Sequence, residues 1–185
     1  AQNISQDAAS QINAARDITA TARDTLKTQG QITAGQNLAA SATLLTQEGK
    51  LLAQNSAQLN AAALNNRGAV QGGTLSVGST MLSNAGTLLS GGDLTVNTRD
   101  FTQSGTTGAK GAANITASGR LDNSGTLISD DALTLSAAQL NNSGTLSGAK
   151  GLTVTADSFI ASSASVTHGD GDLVLNAQDA MLAGE

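Results

Sequence analysis

The sequence lacks several residue types that most folded domains use. It contains no cysteine, proline, tryptophan or tyrosine, and its only aromatic residues are Phe101 and Phe159. A chain without cysteine cannot be trapped by disulfides in an oxidising compartment. Proline cannot donate to a β-ladder, so its absence suits a chain whose strands are nearly all central in a sheet.

Charge is also scarce. Charged residues make up 12% of the chain, about half the usual share for a globular domain, and the net charge is −5. This acidic balance, with no basic cluster, argues against a nucleic-acid partner. No apolar run approaches the length of a membrane-spanning helix, so we predict no membrane insertion by this segment. The scarcity of aromatic residues is also found in disordered chains, but the regular spacing of the apolar residues argues against disorder.

The sequence does contain an internal repeat. The segments LSNAGTL (82–88), LDNSGTL (121–127) and LNNSGTL (140–146) are near copies of one another. The glycine of such segments recurs at steps of 19, 19, 18, 19, 20 and 19 residues, at Gly30, Gly49, Gly68, Gly86, Gly105, Gly125 and Gly144. Ser10 and Ser163 extend the series at its two ends, which gives nine units. Self-similarity at a constant spacing of this size indicates a solenoid or a related repeat architecture.

The apolar residues within each unit alternate with a period of two. An apolar residue stands four positions before each glycine, and pairs such as Leu133 and Leu135 follow eight and ten positions after it. Such alternation is typical of β-strands, whereas helical solenoids have longer units with a period near 3.6. About three short strands per unit predict one coil of a parallel β-helix, in which each strand pairs with its copy in the next coil. We attribute the glycine and asparagine of the turns to the positive φ that tight turns require.

A column of amides supports this alignment. The position two residues after the first leucine of each unit holds an amide in six successive units: Gln47, Asn66, Asn84, Gln103, Asn123 and Asn142. Equal positions of stacked coils touch, so we expect these side chains to form a hydrogen-bonded amide ladder along the axis. Asparagine also favours turns, which is the alternative explanation. Glutamine does not share that preference, and its presence favours the ladder.

Charged residues at equal positions of neighbouring units are opposite in sign. The pairs are Asp7 with Lys27, Glu48 with Arg67, Asp100 with Arg120, Lys110 with Asp130, and Asp131 with Lys150. Opposed unlike charges stabilise a sheet by about 0.2–1 kcal/mol each, and like charges destabilise it. We therefore predict five structural ion pairs between successive coils.

The repeat resembles a known family. The units LDNSGTLISDDALTLSAAQ (121–139) and LNNSGTLSGAKGLTVTADS (140–158) are similar to the hemagglutinin repeats of the filamentous hemagglutinin family. The likeness covers nearly the whole chain and is looser at 1–25 and 159–185. That family comprises filamentous adhesins and the contact-dependent growth inhibition exoproteins of Gram-negative bacteria. The resemblance implies a right-handed parallel β-helix (solenoid) of about nine coils and about 19 residues per coil.

The same resemblance implies how the protein is exported and displayed. We expect two-partner secretion through an outer-membrane transporter and a location outside the cell or on the bacterial surface, associated with the outer membrane. The segment begins mid-pattern and has no signal peptide. We therefore interpret residues 1–185 as a single β-helix domain that is a fragment of a longer filament.

The predicted function is structural: a stalk that holds distal binding or toxin modules away from the cell. Other parts of the parent protein would contact a host or target-cell receptor. The alternative is a binding module that contacts a host glycan or a receptor through a face of the β-helix, although two phenylalanines in apolar positions offer little for sugar binding. A polysaccharide-cleaving β-helix enzyme is a more remote alternative.

No catalytic, cofactor-binding or metal-ligating residue is predicted. β-Helix enzymes need carboxylates clustered on one face or an oxygen-rich calcium site. Asp130 and Asp131 are adjacent and point to opposite faces of a strand. No GxSxG motif is present, and a single histidine leaves little material for a catalytic triad. We therefore expect no cofactor.

The segment THGDGD (167–172) is the least regular part of the chain. It holds the only histidine, His168, together with Asp170 and Asp172. One histidine and two aspartates can ligate a cation, but the set is incomplete. The strand pair of this unit arrives two residues late, at Leu173 and Leu175, so the spacing predicts a small bulging loop at THGDGD.

Overall fold

The computed structural model describes residues 1–183, and Gly184 and Glu185 of the predicted 1–185 domain lie outside the described residues. Residues 1–183 form 21 β-strands and no helix. Within that range no helix is long and apolar enough to cross a bilayer. The all-β class that the sequence predicts is confirmed.

The strands are numbered in chain order. They are β1 (Asn3–Gln6), β2 (Gln11–Ala14), β3 (Ile18–Thr21), β4 (Thr25–Thr28), β5 (Gln31–Ala34), β6 (Asn37–Gln47), β7 (Lys50–Ala53), β8 (Ser56–Asn66), β9 (Ala69–Gly72), β10 (Thr74–Asn84), β11 (Thr87–Ser90), β12 (Leu94–Thr98), β13 (Asp100–Gln103), β14 (Thr106–Ala109), β15 (Ala113–Asn123), β16 (Thr126–Ser129), β17 (Ala132–Asn142), β18 (Thr145–Gly148), β19 (Gly151–Ala161), β20 (Val166–Gly169) and β21 (Asp172–Leu182).

The strands form two parallel sheets that follow the same axis. The 9-stranded sheet has the order β2-β5-β7-β9-β11-β14-β16-β18-β20. The 12-stranded sheet has the order β1-β4-β6-β8-β10-β12-β15-β17-β19-β21, with β3 paired to β6 and β13 paired to β10 and β15. Strand partners lie about one repeat apart, as in Thr126 opposite Thr145. Each coil therefore adds one strand to the 9-stranded sheet, and the prediction of a parallel solenoid of about nine coils is confirmed.

Each coil contains three strand segments around one core. The 11-residue strands bend near their middle, and β17 buries Leu133 and Leu135 before the bend and Leu140 and Asn142 after it. In two coils the segments on either side of the bend are separate strands, as with β12 and β13. Because strand side chains alternate, every second residue points inward and stacks on its copy in the next coil.

The core is a set of columns parallel to the axis. Between the ends of the rod, the column that contains Leu121 is buried at 0–2% exposure, in Leu26, Leu45, Leu64, Leu82, Phe101, Leu121, Leu140 and Phe159. By contrast, Leu173 in the ninth coil is 52% exposed, because no described residues stack upon it. Burial of each coil thus depends on the coils on either side.

The turn glycines have a different role from the one that the sequence predicts. None of the seven has a positive φ. A Cβ atom on Gly125 would lie 2.2 Å from the carbonyl oxygen of Gly105, and one on Gly49 would lie 1.9 Å from that of Gly30. Glycine is required because successive turns stack backbone on backbone, and the expectation of positive φ at these turns is wrong.

The first turn is two residues longer than those that follow. Four residues (7–10) separate β1 from β2, but only two (29–30) separate β4 from β5. Consequently Lys27 lies opposite Ser5, and not opposite Asp7 as the spacing predicts. The longer turn is closed by Ser10, whose N–H and hydroxyl both donate to the carbonyl oxygen of Asp7, at 3.0 and 2.8 Å.

The ninth coil has a turn of the same length and build. Four residues (162–165) separate β19 from β20, and Ser165 donates twice to the carbonyl oxygen of Ser162, at 3.0 and 2.7 Å. Val166 lies opposite Thr145, so Ser165, and not Ser163, occupies the turn-glycine position. The extra residues lie in this turn, whereas the first residues of THGDGD, including His168, belong to β20.

Candidate functional site

The six amides of the ladder lie in successive coils, each opposite the next. Their exposed fractions are 0–2%. Buried amides at this depth need hydrogen-bond partners within the protein. The stack provides them along the axis of the rod.

Each asparagine that is followed by another amide in the next coil donates a hydrogen bond toward that next coil. Asn66 Nδ2 donates to Asn84 Oδ1 at 2.7 Å, and Asn84 Nδ2 donates to Gln103 Oε1 at 2.8 Å. Asn123 Nδ2 donates to Asn142 Oδ1 at 2.8 Å. The second N–H reaches the backbone carbonyl oxygen that follows the turn glycine of the next coil, as from Asn123 to Thr145 at 3.1 Å. Every such amide is thus bonded both to the next side chain and to the next turn.

The ladder is interrupted after each glutamine. Gln103 Nε2 donates to the carbonyl oxygens of Gly105 at 2.9 Å and Thr126 at 3.0 Å, and not to the Asn123 side chain. Asn123 Oδ1 and Asn66 Oδ1 consequently have no hydrogen-bond partner among the described residues. The additional methylene of glutamine displaces its amide toward the turn, so the ladder is divided at Gln47 and Gln103.

The amide column also extends toward the N-terminus, which sequence reasoning missed. Thr28 and Gln6 occupy its next two positions, at 1% and 5% exposure. The Thr28 hydroxyl donates to Gln47 Oε1. The signal was present in the spacing, because both residues stand two positions after an apolar residue, Leu26 or Ile4.

The pair of Asp131 and Lys150 is the shortest ion pair between coils. Lys150 Nζ lies 2.5 Å from Asp131 Oδ2. The hydrogen bond from this ammonium group holds the pKa of the Asp131 carboxyl below its ordinary value. Desolvation acts in the opposite sense, and the N–H of Ala132 adds a smaller lowering. Both side chains lie at the surface, where such pairs contribute little to stability.

The other predicted pairs differ in how their charges meet. Arg67 lies 3.8 Å from Glu48, and Lys27 also reaches Glu48, at 3.6 Å, instead of Asp7. Arg120 lies opposite Asp100 and donates its backbone N–H to Asp100 Oδ1 at 3.1 Å. Its guanidinium group, however, pairs with Asp122, two residues further along the same strand, at 2.7 Å.

Lys110 and Asp130 occupy opposite positions of successive coils, because Ala109 pairs with Ser129 immediately before them. They are not among the ion pairs within 4.0 Å in residues 1–183. Both side chains extend into solvent. The predicted ion pair at this position is therefore wrong, although the register that it assumed is observed.

The residues considered as candidates for metal binding or catalysis meet at most in pairs. His168 Nε2 lies 2.6 Å from Asp170 Oδ1 on the exposed edge of the ninth coil. Residues 1–183 contain no group of three or more histidine, cysteine, aspartate or glutamate side chains that could hold a metal ion.

A shallow groove follows the bend of the long strands. In the last coils hydroxyl and amide side chains line it, including Thr116, Ser136, Thr155 and Asn176, and Ala137 is among its small residues. A similar groove follows the bend in the second to fourth coils, beside Arg23. These surfaces offer hydrogen bonds, whereas both phenylalanines are buried in the core.

Comparison with known proteins identifies the family. The haemagglutinin repeat model matches residues 1–47, 37–125 and 128–182. Over 115 residues, 62% of the chain, it is 62% identical to the tRNA nuclease CdiA of Escherichia coli (strain NC101). Over 119 residues, 64% of the chain, it is 48% identical to the 16S rRNA endonuclease CdiA of Enterobacter cloacae subsp. cloacae.

The matched region spans 4% of the length of each of these two relatives. No solved structure matches the chain significantly. The family model, in contrast, covers almost every coil of the solenoid. The resemblance that the repeated LxNSGTL segments indicate is confirmed, and the chain belongs to the haemagglutinin repeat family.

Proposed function

We propose that this chain is a stalk segment of an exported exoprotein of the adhesin or contact-dependent growth inhibition type, and that it holds distal modules away from the cell. The observation that carries the proposal is the uninterrupted stack of nine coils. In such a solenoid each coil packs only on its neighbours, so the copy number sets the length. A rise of about 4.8 Å per coil gives a rod of roughly 40 Å.

Export fits the same architecture. The chain has no cysteine, and its strand partners are about 19 residues apart, so a coil can dock as soon as it has emerged. The preceding coil then serves as a template. We propose that an outer-membrane transporter passes the chain unfolded and that folding outside the cell helps to draw it out.

We propose that the segment itself has no catalytic role. The relatives carry nuclease names, but the match covers 4% of their lengths. A net charge of −5 opposes binding to a phosphate backbone, because such binding depends on lysine and arginine contacts. We propose that any toxin activity and any receptor binding belong to other parts of the parent protein.

The proposal is tested by transplanting the segment. Residues 1–183 replace the matching coils of the E. coli relative, and a distal epitope is detected on intact cells. We expect surface display with the native sequence and a loss of display with Leu121→Asp or Leu133→Asp, because each buries an unpaired charge between coils.

The matched control is Ile128→Asp, since Ile128 points outward and is 36% exposed. It should leave surface display unchanged. Surface display that is unchanged by Leu121→Asp and Leu133→Asp would refute the role of coil docking in export. A transplanted native segment that fails to display the epitope would refute the stalk itself.

A further inference from the structure

A rod built from near-identical coils must select one strand register among several that bury the same kinds of residue. Side chains on a strand alternate, so a slip of two residues returns the same face to the core. Before its bend, β17 presents Leu133, Leu135 and Ala137 to the interior, all of them apolar. This segment alone discriminates poorly against such a slip.

The segment after the bend is different. It presents one large apolar residue and one amide, as in Leu121 and Asn123, which lie opposite Leu140 and Asn142. In a two-residue slip, Ser147 would pair with Thr126 instead of Ile128. Asn142 would then lie opposite Leu121, and the turn glycine Gly144 would lie opposite Asn123. Both amides would then be buried without their present partners.

We propose that the amide ladder, together with the stacked turn glycines, selects the register of the rod. In register, Asn123 Nδ2 bonds to Asn142 Oδ1 at 2.8 Å and to the carbonyl oxygen of Thr145 at 3.1 Å. These bonds replace bonds to water, so their net contribution is modest, whereas an unpaired buried amide bears its full desolvation cost. The ladder therefore discriminates between registers more than it stabilises any one of them. Single buried polar residues select register in coiled coils in the same way.

The turn glycines oppose the same slip independently. A Cβ atom on Gly144 would lie 2.1 Å from the carbonyl oxygen of Gly125. The slip would bring Leu146 to that position, with its side chain against the turn backbone. The test must therefore remove the amides and keep the glycines.

The absence of native cysteine allows the register to be trapped chemically. Thr126 lies opposite Thr145 in successive coils, with both side chains outside the core. Neighbouring strands are about 4.8 Å apart, which is within the Cα separation that a disulfide spans. The double variant Thr126→Cys/Thr145→Cys reports the native register, and Thr126→Cys/Ser147→Cys reports the slipped one.

Each reporter pair is refolded under mild oxidation in the 185-residue chain, and the cross-linked fraction is measured by mass spectrometry. With the amides present, we expect the slipped pair to cross-link at least tenfold less than the native pair. With Asn123→Leu and Asn142→Leu, we expect the slipped fraction to rise at least fivefold, while the urea midpoint stays equal to or above that of the parent.

The control replaces two apolar residues of the same strands, by Leu121→Met and Leu140→Met, and should leave the slipped fraction unchanged. Asn142→Leu alone serves as a milder variant if the double change prevents folding, and it too should raise the slipped fraction. An unchanged slipped fraction in the folded variant, or a lower urea midpoint without slipped cross-links, would overturn the proposal, because the ladder would then be only a stabilising network.

Discussion

At the scale of single residues, the tightest constraint in the rod is the approach of one turn backbone to the next. Gly125 stacks on Gly105 so closely that a Cβ atom would lie 2.2 Å from its carbonyl oxygen. The nearest atoms are backbone atoms of Ser104 and Gly105 in the preceding coil, and they cannot move like a flexible side chain. A methyl group there must separate the coils locally.

We therefore expect Gly125→Ala to lower the free energy of unfolding by at least about 2 kcal/mol, as overpacking against rigid neighbours does. Gly91→Ala is the matched control, since its Cβ would meet its nearest atoms at 3.6 Å. It should be neutral or stabilising by up to about 1 kcal/mol through the unfolded chain. Urea unfolding of both variants gives the comparison, and equal effects would contradict the stacking argument.

A second prediction at this scale concerns the Asp131 carboxyl group. The hydrogen bond from Lys150 lowers its pKa, so the pair contributes stability above the unfolded-state pKa and loses it as the pH falls through the folded-state pKa. We expect Lys150→Met to raise the pKa of Asp131 toward its ordinary value. Carboxyl carbon NMR titration measures it directly.

The control for this titration is Lys50→Met, which removes an exposed lysine several coils away. It should leave the pKa of Asp131 unchanged. A pKa of Asp131 that is the same with and without Lys150 would show that the 2.5 Å contact does not persist in solution.

At the scale of the strand, burial alternates between adjacent residues. In β16, Leu127 is 0% exposed while Ile128 is 36% exposed. We expect Leu127→Asp to destabilise the rod by more than about 4 kcal/mol, since it removes a core leucine and buries a charge. Ile128→Asp should cost less than about 1 kcal/mol. Comparable losses in urea unfolding would mean that the strand faces are assigned wrongly.

Regular strands could be predicted from the sequence because each carries its own marker. Inward residues such as Leu121 and Asn123 recur at fixed offsets, and the pairing of their strand with the next is the one that those offsets predict. The longer turns could not be located, because residues 7–10 and 162–165 are small or polar and contain no large apolar residue that would mark a position. Because the alignment took Ser163, and not Ser165, as the equivalent of the turn glycine, it placed the two additional residues of this coil in THGDGD instead of in the turn.

Ion-pair partners were harder to predict than positions. Phe101 pairs with Leu121, which brings Asp100 next to Arg120 of the following coil. A long exposed side chain, however, can turn along its own strand as easily as across to the next. Arg120 turns to Asp122, and Lys110 extends into solvent. Small differences between exposed pairs decide such choices, since each is worth about 0–1 kcal/mol.

At the scale of the whole molecule, the rod is a one-dimensional array in which a coil interacts with the coil before it and the coil after it. The partners of β16 in its sheet are β14 and β18, one coil away on either side. Such arrays tolerate removal of a complete unit, because the newly adjacent coils present the same columns to each other. Removal of part of a unit misaligns every column beyond the cut.

Deletion of residues 69–86 tests this modular behaviour. It removes one 18-residue coil, joins Gly68 to Thr87 and places Gln103 opposite Asn66, so that the amide ladder is preserved. We expect a folded rod that is shorter by about 4.8 Å in X-ray scattering, with a urea m-value lower in proportion to the surface removed. Deletion of residues 69–77, half a coil, should abolish cooperative unfolding, because it sets turn residues against core leucines. If both deletions fold equally well, or if the complete-coil deletion unfolds the chain, coils are not interchangeable units and copy number does not set the length of this rod.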